Sequence, residues 1–252
     1  MSMPRETQTD LYAKGEAPLA LRTSERLRKG VDFIGRCAAW LLVPLVLITV
    51  VDVVARKLTW HSADGVQGVQ IWLVATFGRI FESTLLQELE WHVHTALFAL
   101  VLGFGTIYNA HVRVDLVRDH LQFRKKAWLE FLGLSCFMIP YLLLLIYFFI
   151  SYVADSFAVG EISASTVGLS HRWVIKGIMV FGLIVATCAG IAVWLQVAYA
   201  LWGPKGVRFK LMTLEWPEEA GTRIEGKERI KLEDTPDPVL EAPVAVAVSQ
   251  KT

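Results

Sequence analysis

Cysteine is scarce in this sequence, and the three that are present do not form pairs. Cys37, Cys136 and Cys188 lie in three different apolar stretches, without the spacing of a disulfide framework or a zinc site. Gly-rich phosphate loops, zinc-protease helices and nucleophile elbows are also missing from any suitable context. The sequence therefore predicts neither an enzyme nor a protein with a bound metal or other cofactor.

Charged residues and histidine are missing from the middle of four long apolar stretches. The stretches cover approximately residues 33–54, 93–108, 131–154 and 177–202. Each is close to the ~20 residues that an α-helix needs to cross a hydrocarbon core ~30 Å thick. This pattern predicts an all-α, polytopic membrane protein with four transmembrane helices. A carrier that moves its own ions usually places ionisable side chains or broken helices near the bilayer midplane. The absence of charged residues from the middle of these stretches therefore disfavours a self-sufficient transporter.

Lys and Arg are unevenly distributed among the connecting segments, and this bias predicts the orientation. They are frequent before the first stretch, between the second and third, and after the fourth, but scarce in the other two connections. Because cytoplasmic loops retain Lys and Arg, we expect both termini in the cytoplasm. The N-terminal segment lacks the features of a secretory signal, so the first helix is expected to remain as an anchor. A formal net charge of +1 gives no reason to expect a nucleic-acid partner.

These patterns divide the chain into three parts. Residues 1–30 are predicted to be a cytoplasmic N-terminal segment, and residues 31–204 a four-helix membrane domain. Residues 205–252 are rich in charge, Pro and Ala without a sustained period, which predicts a cytoplasmic and largely disordered tail.

The connection between the first two stretches has a helical pattern of its own. Apolar residues recur at helical spacing, with polar residues between them, at Val66, Val69, Leu73, Phe77 and Ile80. This spacing predicts an amphipathic helix lying in the outer membrane interface.

Two further patterns concern helix shape and packing. Pro44 and Pro140 fall inside the first and third stretches, where each removes a backbone hydrogen bond and can kink the helix. In the fourth stretch Gly182, Ala186 and Gly190 recur every fourth residue and form a strip on which another helix can approach closely. The strip fits a neighbour in this chain and a partner subunit equally well.

The remaining ionisable residues lie near the ends of the stretches. Arg56, Glu88, Glu90 and Lys176 are all expected at the outer face, either as a cluster that bridges helices or as separate interfacial anchors; the residues alone favour the anchors. Haem ligation by His from two helices is an alternative, with His92 or His94 paired with His171. The first and third stretches contain no His, so an interfacial polar role is favoured for all three.

Three segments of the sequence are similar to a known family. They are Leu86-Gln-Glu-Leu-Glu-Trp-His92, Asn109-Ala-His-Val-Arg-Val-Asp115, and the pair Gly160-Glu-Ile-Ser163 and Leu169-Ser-His-Arg-Trp173. Over residues 31–200 the chain resembles the small permease subunit of TRAP (tripartite ATP-independent periplasmic) transporters, and especially the branch named for mannitol and chloroaromatic compounds. The run His-Val-Arg-Val-Asp at residues 111–115 is the most specific part of this resemblance.

The resemblance implies a non-catalytic subunit in the bacterial inner membrane. Such a subunit binds a much larger permease subunit, while a periplasmic solute-binding protein delivers an organic acid and a sodium gradient drives uptake. A haem-bearing anchor of a respiratory enzyme and a membrane assembly or adaptor protein are the alternatives. The candidate subunit-interface or lipid-contact residues are His111, Arg113, Asp115, Glu90, Trp91, Gly182, Ala186 and Gly190.

Individual residues in this set have different expected roles. Arg113 is expected just inside the membrane, facing lipid phosphates or a partner carboxylate. Asp115 is suited to cap a short helix that begins at Leu116. Trp91 is expected to be an interfacial anchor. The chain departs from the family in its longer segment at 61–83, for which contact with the binding protein is a hypothesis, and in Leu169-Ser-His, where the family tends toward Gly-Leu-Pro.

Overall fold

The structure is a computed structural model that describes residues 18–62, 65–111, 121–165, 168–204, 209–214 and 216. It is mostly helical. In chain order the elements are α1 (Leu19–Ala39), α2 (Leu42–Lys57), β1 (Thr59–Ser62), β2 (Gly65–Gly68), α3 (Val69–Phe77), a 3₁₀ turn (Arg79–Phe81), α4 (Ser83–Ile107), α5 (Phe123–Gly133), a π-helix (Leu134–Met138), α6 (Ile139–Ala158) and α7 (Trp173–Trp202). The described residues up to 213 form one compact unit, and Leu214 and Trp216 belong to a second.

Three helical segments in the described residues are long and apolar enough to cross a membrane. They are Leu19–Lys57, Phe123–Ala158 and Trp173–Trp202. Their length and composition are compatible with a membrane location. The remaining predicted span corresponds to α4, whose first half is less apolar because it carries Glu88, Glu90, His92 and His94.

The two prolines distort the first and third long helices just before their own positions. The helix is interrupted at Trp40 and Leu41, between α1 and α2, because the ring of Pro44 clashes with the carbonyl four residues earlier. Ahead of Pro140 the helix widens into the π-helix Leu134–Met138. The sequence predicted both distortions, although not the form that each one takes.

Helices α4 and α7 form the centre of the first unit. Helix α4 packs against α1, α2 and α7, and α6 packs against α7 as well. Contacts along the helices show that α4 runs antiparallel to α1–α2, since Ser83 bonds to Asp52 at one end and Tyr108 bonds to Asp32 at the other. We call the end with Ser83 and Asp52 the hairpin end, because it also carries the β-hairpin and the α6–α7 loop. We call the end with Tyr108 and Asp32 the terminal end.

The small-residue strip of α7 is used within this chain. Gly182 lies against the backbone of α4, so closely that a Cβ atom at residue 182 would be 2.5 Å from the carbonyl oxygen of Ala99. Ala186 is buried, and a Cβ atom on the facing Gly103 would lie 3.2 Å from its Cα. Gly190 faces the π-helix, where a Cβ atom would lie 3.3 Å from the terminal carbon of Met138. Of the two neighbours that the sequence left open, the structure therefore places the chain's own helices on this strip.

The amphipathic helix predicted over residues 66–81 is wrong in length and character. An antiparallel hairpin, in which β1 pairs with β2, precedes α3, and the helix itself covers only Val69–Phe77. Its residues are apolar around most of the circumference, because Ile71 and Trp72 occupy the side expected to be polar and are about half exposed. An all-round apolar helix has no preferred face, so its sequence pattern does not fix an interfacial orientation.

The first unit includes packed residues beyond both predicted boundaries of the membrane domain. Helix α1 begins at Leu19 rather than after residue 30, because Ser24 is fully buried and donates a 2.7 Å hydrogen bond to the carbonyl oxygen of Ala192. Beyond α7, Phe209 and Leu211 of the predicted tail are buried as well. The rest of that tail, from residue 217, lies outside the described residues, and its predicted disorder stays a prediction.

Candidate functional site

The most elaborate polar arrangement lies at the hairpin end, where two carboxylates hold the α6–α7 loop. Glu88 of α4 accepts a hydrogen bond from the Ser163 hydroxyl and another, at 2.6 Å, from the backbone N–H of Leu169. Each of its two oxygens therefore binds a different part of the loop. Because hydrogen bonds to a charged group are stronger than neutral ones, Glu88 fixes the loop to α4.

Glu161 ties the same loop to α6 and α7. Its Oε2 accepts hydrogen bonds from the Lys176 ammonium and, at 2.6 Å, from the Ser156 hydroxyl. The Lys176 hydrogen bond and then the Ser156 hydrogen bond hold the pKa of the Glu161 carboxyl below its ordinary value, because both stabilise the charged form. The Lys176 ammonium also lies 3.7 Å from the centroid of the Tyr152 ring, a cation–π contact.

A third contact joins the first long helix to α4. Asp52 is almost fully buried, accepts a 2.7 Å hydrogen bond from the Ser83 hydroxyl, and forms an ion pair with Arg56 at 2.5 Å. A buried carboxylate of this kind needs its partners, since an unpaired charge there is strongly destabilising. Of the four outer residues that the sequence grouped, Arg56, Glu88 and Lys176 therefore bind neighbouring groups rather than standing as isolated anchors.

His92 has a defined tautomer, because its Nδ1 lies 2.6 Å from the carbonyl oxygen of Glu88 and a carbonyl can only accept. Nδ1 therefore carries a proton and donates this hydrogen bond. His171 is exposed and in the left-handed backbone region, with its Nδ1 2.8 Å from the Ser170 hydroxyl. The described residues contain no group of three or more His, Cys, Asp or Glu side chains arranged to hold a metal.

Glu90 and Trp91 follow Glu88 on α4 but differ from it in their exposure and their contacts. Glu90 is half-buried, and among the described residues it makes no hydrogen bond or ion pair. Trp91 is 76% exposed, which suits a side chain at the surface of the helical body. Of the predicted pair, Trp91 thus projects outward and Glu90 does not.

At the terminal end the structure describes only part of the His-Val-Arg-Val-Asp run. His111 is exposed, with its Nε2 3.1 Å from the Thr106 hydroxyl. It lines a cavity of about 310 Å³ between α4, the π-helix and α7, together with Glu130 and Thr213. Arg113 and Asp115 lie outside the described residues, so their expected contacts stay predictions.

Sequence reasoning missed the segment that closes the first unit beyond α7. Gln196, only 3% exposed, accepts a 3.0 Å hydrogen bond from the backbone N–H of Met212 and donates one of 3.5 Å to the carbonyl oxygen of Lys210. Phe209 and Leu211 alternate with exposed Lys210 and are buried. A buried Gln in an otherwise apolar helix was the available signal, because such an amide must find hydrogen-bonding partners.

Replacing Glu88 with glutamine will loosen the α6–α7 loop, whereas Glu90→Gln will not. Glutamine keeps one acceptor oxygen but loses the charge that both loop hydrogen bonds use, at a cost of about 1–1.5 kcal/mol. Hydrogen exchange measured by mass spectrometry should show the Leu169 amide exchanging about tenfold faster in Glu88→Gln. Equal exchange in both variants would show that Glu88 does not hold the loop.

These contacts hold the α6–α7 loop and the neighbouring helices together. The chain matches no protein-family model, no curated protein and no solved structure.

Proposed function

We propose that this chain is the small membrane subunit of a TRAP-type secondary transporter in the bacterial inner membrane. In this role it scaffolds a large permease subunit during sodium-driven uptake of an organic acid that a periplasmic binding protein delivers. The observation that carries the proposal is the pairing of two segments on which the resemblance rests: Glu88, in 86–92, binds Ser163 and Leu169 in 160–173. Segments far apart in the sequence thus form one contact at the hairpin end.

A four-span topology is part of the proposal, and the position of α4 supports it. Helix α4 has 25 residues, about 37 Å at 1.5 Å per residue, enough to cross a hydrocarbon core. It lies beside α7 along most of its length, from Glu88 near Leu169 to Gly103 near Val185. A helix enclosed between two apolar spans crosses the bilayer with them, and its polar first half is tolerated because protein covers part of it. The Lys and Arg bias then places both termini in the cytoplasm.

Exposed apolar surface supports a role in packing against lipid and a partner. Much of α6 faces away from the rest of the chain, and its large side chains are more than half exposed, including Tyr141, Leu144, Tyr147 and Phe148. On the other side of the body, α2 exposes Leu47 and Val50 in the same way. Contiguous apolar surface of this extent suits a bilayer or another membrane subunit.

The ionisable residues support a scaffold rather than a pathway for ions. At the hairpin end, Glu88, Glu161 and Lys176 hold a loop, and Asp52 joins two helices. At the terminal end, Asp32 of α1 accepts a hydrogen bond from the hydroxyl of Tyr108, at the end of α4. Each of these contacts fixes one element against another, which is the property that a static membrane support needs.

Purification of the full-length, affinity-tagged chain from its native membranes tests this function. We expect a large polytopic permease to co-purify and to be identified by mass spectrometry, while a tagged membrane protein of similar size and unrelated sequence does not recover it. Recovery of the chain alone, or with a quinone-linked dehydrogenase and a Soret absorption band, would contradict the proposal. The second of these results would favour a haem-bearing respiratory anchor.

A further inference from the structure

A cavity at the hairpin end combines charged and apolar walls. It has a volume of about 260 Å³ and lies between α4, α6, α7 and the α6–α7 loop. Its charged lining residues are Glu161, Arg172 and Lys176, and the exposed indole of Trp91 lies at its rim. The ion pair between Glu161 and Lys176 therefore forms part of one wall of this cavity.

The walls change from polar to apolar over one helical turn, and they do so in the same direction on two helices. On α7 the change runs from Arg172 and Lys176 to Met179, and on α6 from Tyr152 to Phe149. In the proposed topology this direction leads from the outer headgroup layer toward the hydrocarbon. A ligand that fits both walls therefore has a charged head and an apolar body.

The charged groups in the cavity differ in how many of their atoms already have hydrogen-bonding partners. Within the part of the chain that the structure describes, Glu161 uses Oε2 for its bonds to Lys176 and Ser156, and its Oε1 is left for another donor. Among the described residues the guanidinium of Arg172 makes no hydrogen bond or ion pair, although its charge acts on Glu161. A guanidinium binds phosphate oxygens well, whereas a carboxylate oxygen beside an aromatic face suits an ammonium group.

We propose that this cavity binds the headgroup of a zwitterionic phospholipid. Its phosphodiester lies against Arg172, its ammonium against Glu161 and the face of Trp91, and an acyl chain follows Phe149 and Met179. Lys176 is already paired with Glu161, so the cavity offers a ligand the Arg172 guanidinium and one acceptor oxygen, and it matches a headgroup with both charges better than a purely anionic one. The inference rests on the proposed membrane topology, but it does not require the permease partner.

Lipid analysis of the full-length chain tests the proposal. The chain is purified in mild detergent from bacterial membranes that contain both phosphatidylethanolamine and phosphatidylglycerol, and retained lipid is quantified by mass spectrometry. We expect phosphatidylethanolamine to be enriched over phosphatidylglycerol relative to the membrane. Arg172→Gln and Glu161→Gln should each lower its retention about tenfold, since each loses a charge-assisted contact. Arg79→Gln, at an exposed position outside the cavity, should retain lipid like the wild type.

The controls separate this site from general lipid binding and from misfolding. Arg172→Lys keeps the charge and should retain more lipid than Arg172→Gln, while gel filtration and melting temperature should match the wild type in both Arg172 variants. Equal retention of phosphatidylglycerol, or unchanged retention in Arg172→Gln, would overturn the proposal. If soluble glycerophosphoethanolamine at millimolar concentration releases the lipid, the cavity is a site for the free headgroup rather than for a lipid, and the proposal is overturned. Because the chain is studied alone, failure to recover a permease leaves these results interpretable.

Discussion

Replacing Gly182 with alanine will lower the thermal stability of this protein, whereas the same replacement at Gly177 will not. A Cβ atom at residue 182 would lie 2.5 Å from the carbonyl oxygen of Ala99, so α4 and α7 would have to separate. The obstacle is backbone rather than a flexible side chain, and forced overpacking of this kind costs about 2–3 kcal/mol.

Gly177 provides the matched control because it lies on the same helix. A Cβ atom at residue 177 would meet nothing within 4 Å. Alanine is favoured over glycine in a helix by roughly 0.5–1 kcal/mol, so Gly177→Ala should be neutral or slightly stabilising. Thermal unfolding in detergent, followed by helix circular dichroism, measures the difference. Equal melting temperatures for the two variants would show that the strip is not the closest approach between α4 and α7.

Replacing Gln196 with leucine will detach the segment at residues 209–213 from α7. Leucine fills a similar volume but binds neither the N–H of Met212 nor the carbonyl of Lys210. If the segment stays in place, the Met212 N–H and the Lys210 carbonyl each lose the hydrogen bond that Gln196 makes to them, at about 1–2 kcal/mol each. If it leaves, Phe209 and Leu211 become exposed. We therefore expect a loss of about 2–4 kcal/mol, whichever of these happens.

Limited proteolysis distinguishes detachment from a general loss of stability. Trypsin should cleave after Lys210 much faster in Gln196→Leu than in the wild type, because the backbone there is no longer held. Thr187→Val is the control, since the buried Thr187 hydroxyl bonds only to Leu183 of its own helix, at 2.8 Å. Equal cleavage after Lys210 in the wild type and in Gln196→Leu would show that Gln196 does not hold this segment.

Long-range contacts explain why some predictions from sequence succeeded and others did not. The helical class and the apolar spans follow from local composition, because each span is uniform over many residues. The distortions before Pro44 and Pro140 could also be predicted from the sequence, because a proline distorts the helix in which it lies. The helix predicted over 66–81 failed because periodicity was read from selected apolar residues, although Ile71 and Trp72 lie between them.

The polar contacts at the hairpin end depend on residues that are distant in the sequence. Glu88 and Glu90 are both carboxylates on one turn of α4, and nothing local distinguishes them. Only the packing of α4 against the α6–α7 loop brings Ser163 and Leu169 to Glu88. For the same reason, the sequence left open whether Gly182 and Ala186 face a neighbour in this chain or a partner.

By itself the sequence determined a helical, apolar chain whose charges lie toward the ends of its long helices, because span length and composition are local properties. The tertiary structure decided which groups the polar and charged residues contact. It placed Glu88 on the loop, Asp52 on Ser83, Gln196 on the segment beyond α7, and Glu161 and Arg172 around one cavity. Hydrogen bonds and ion pairs act over a few ångströms, so their partners are fixed only when helices far apart in the sequence have packed.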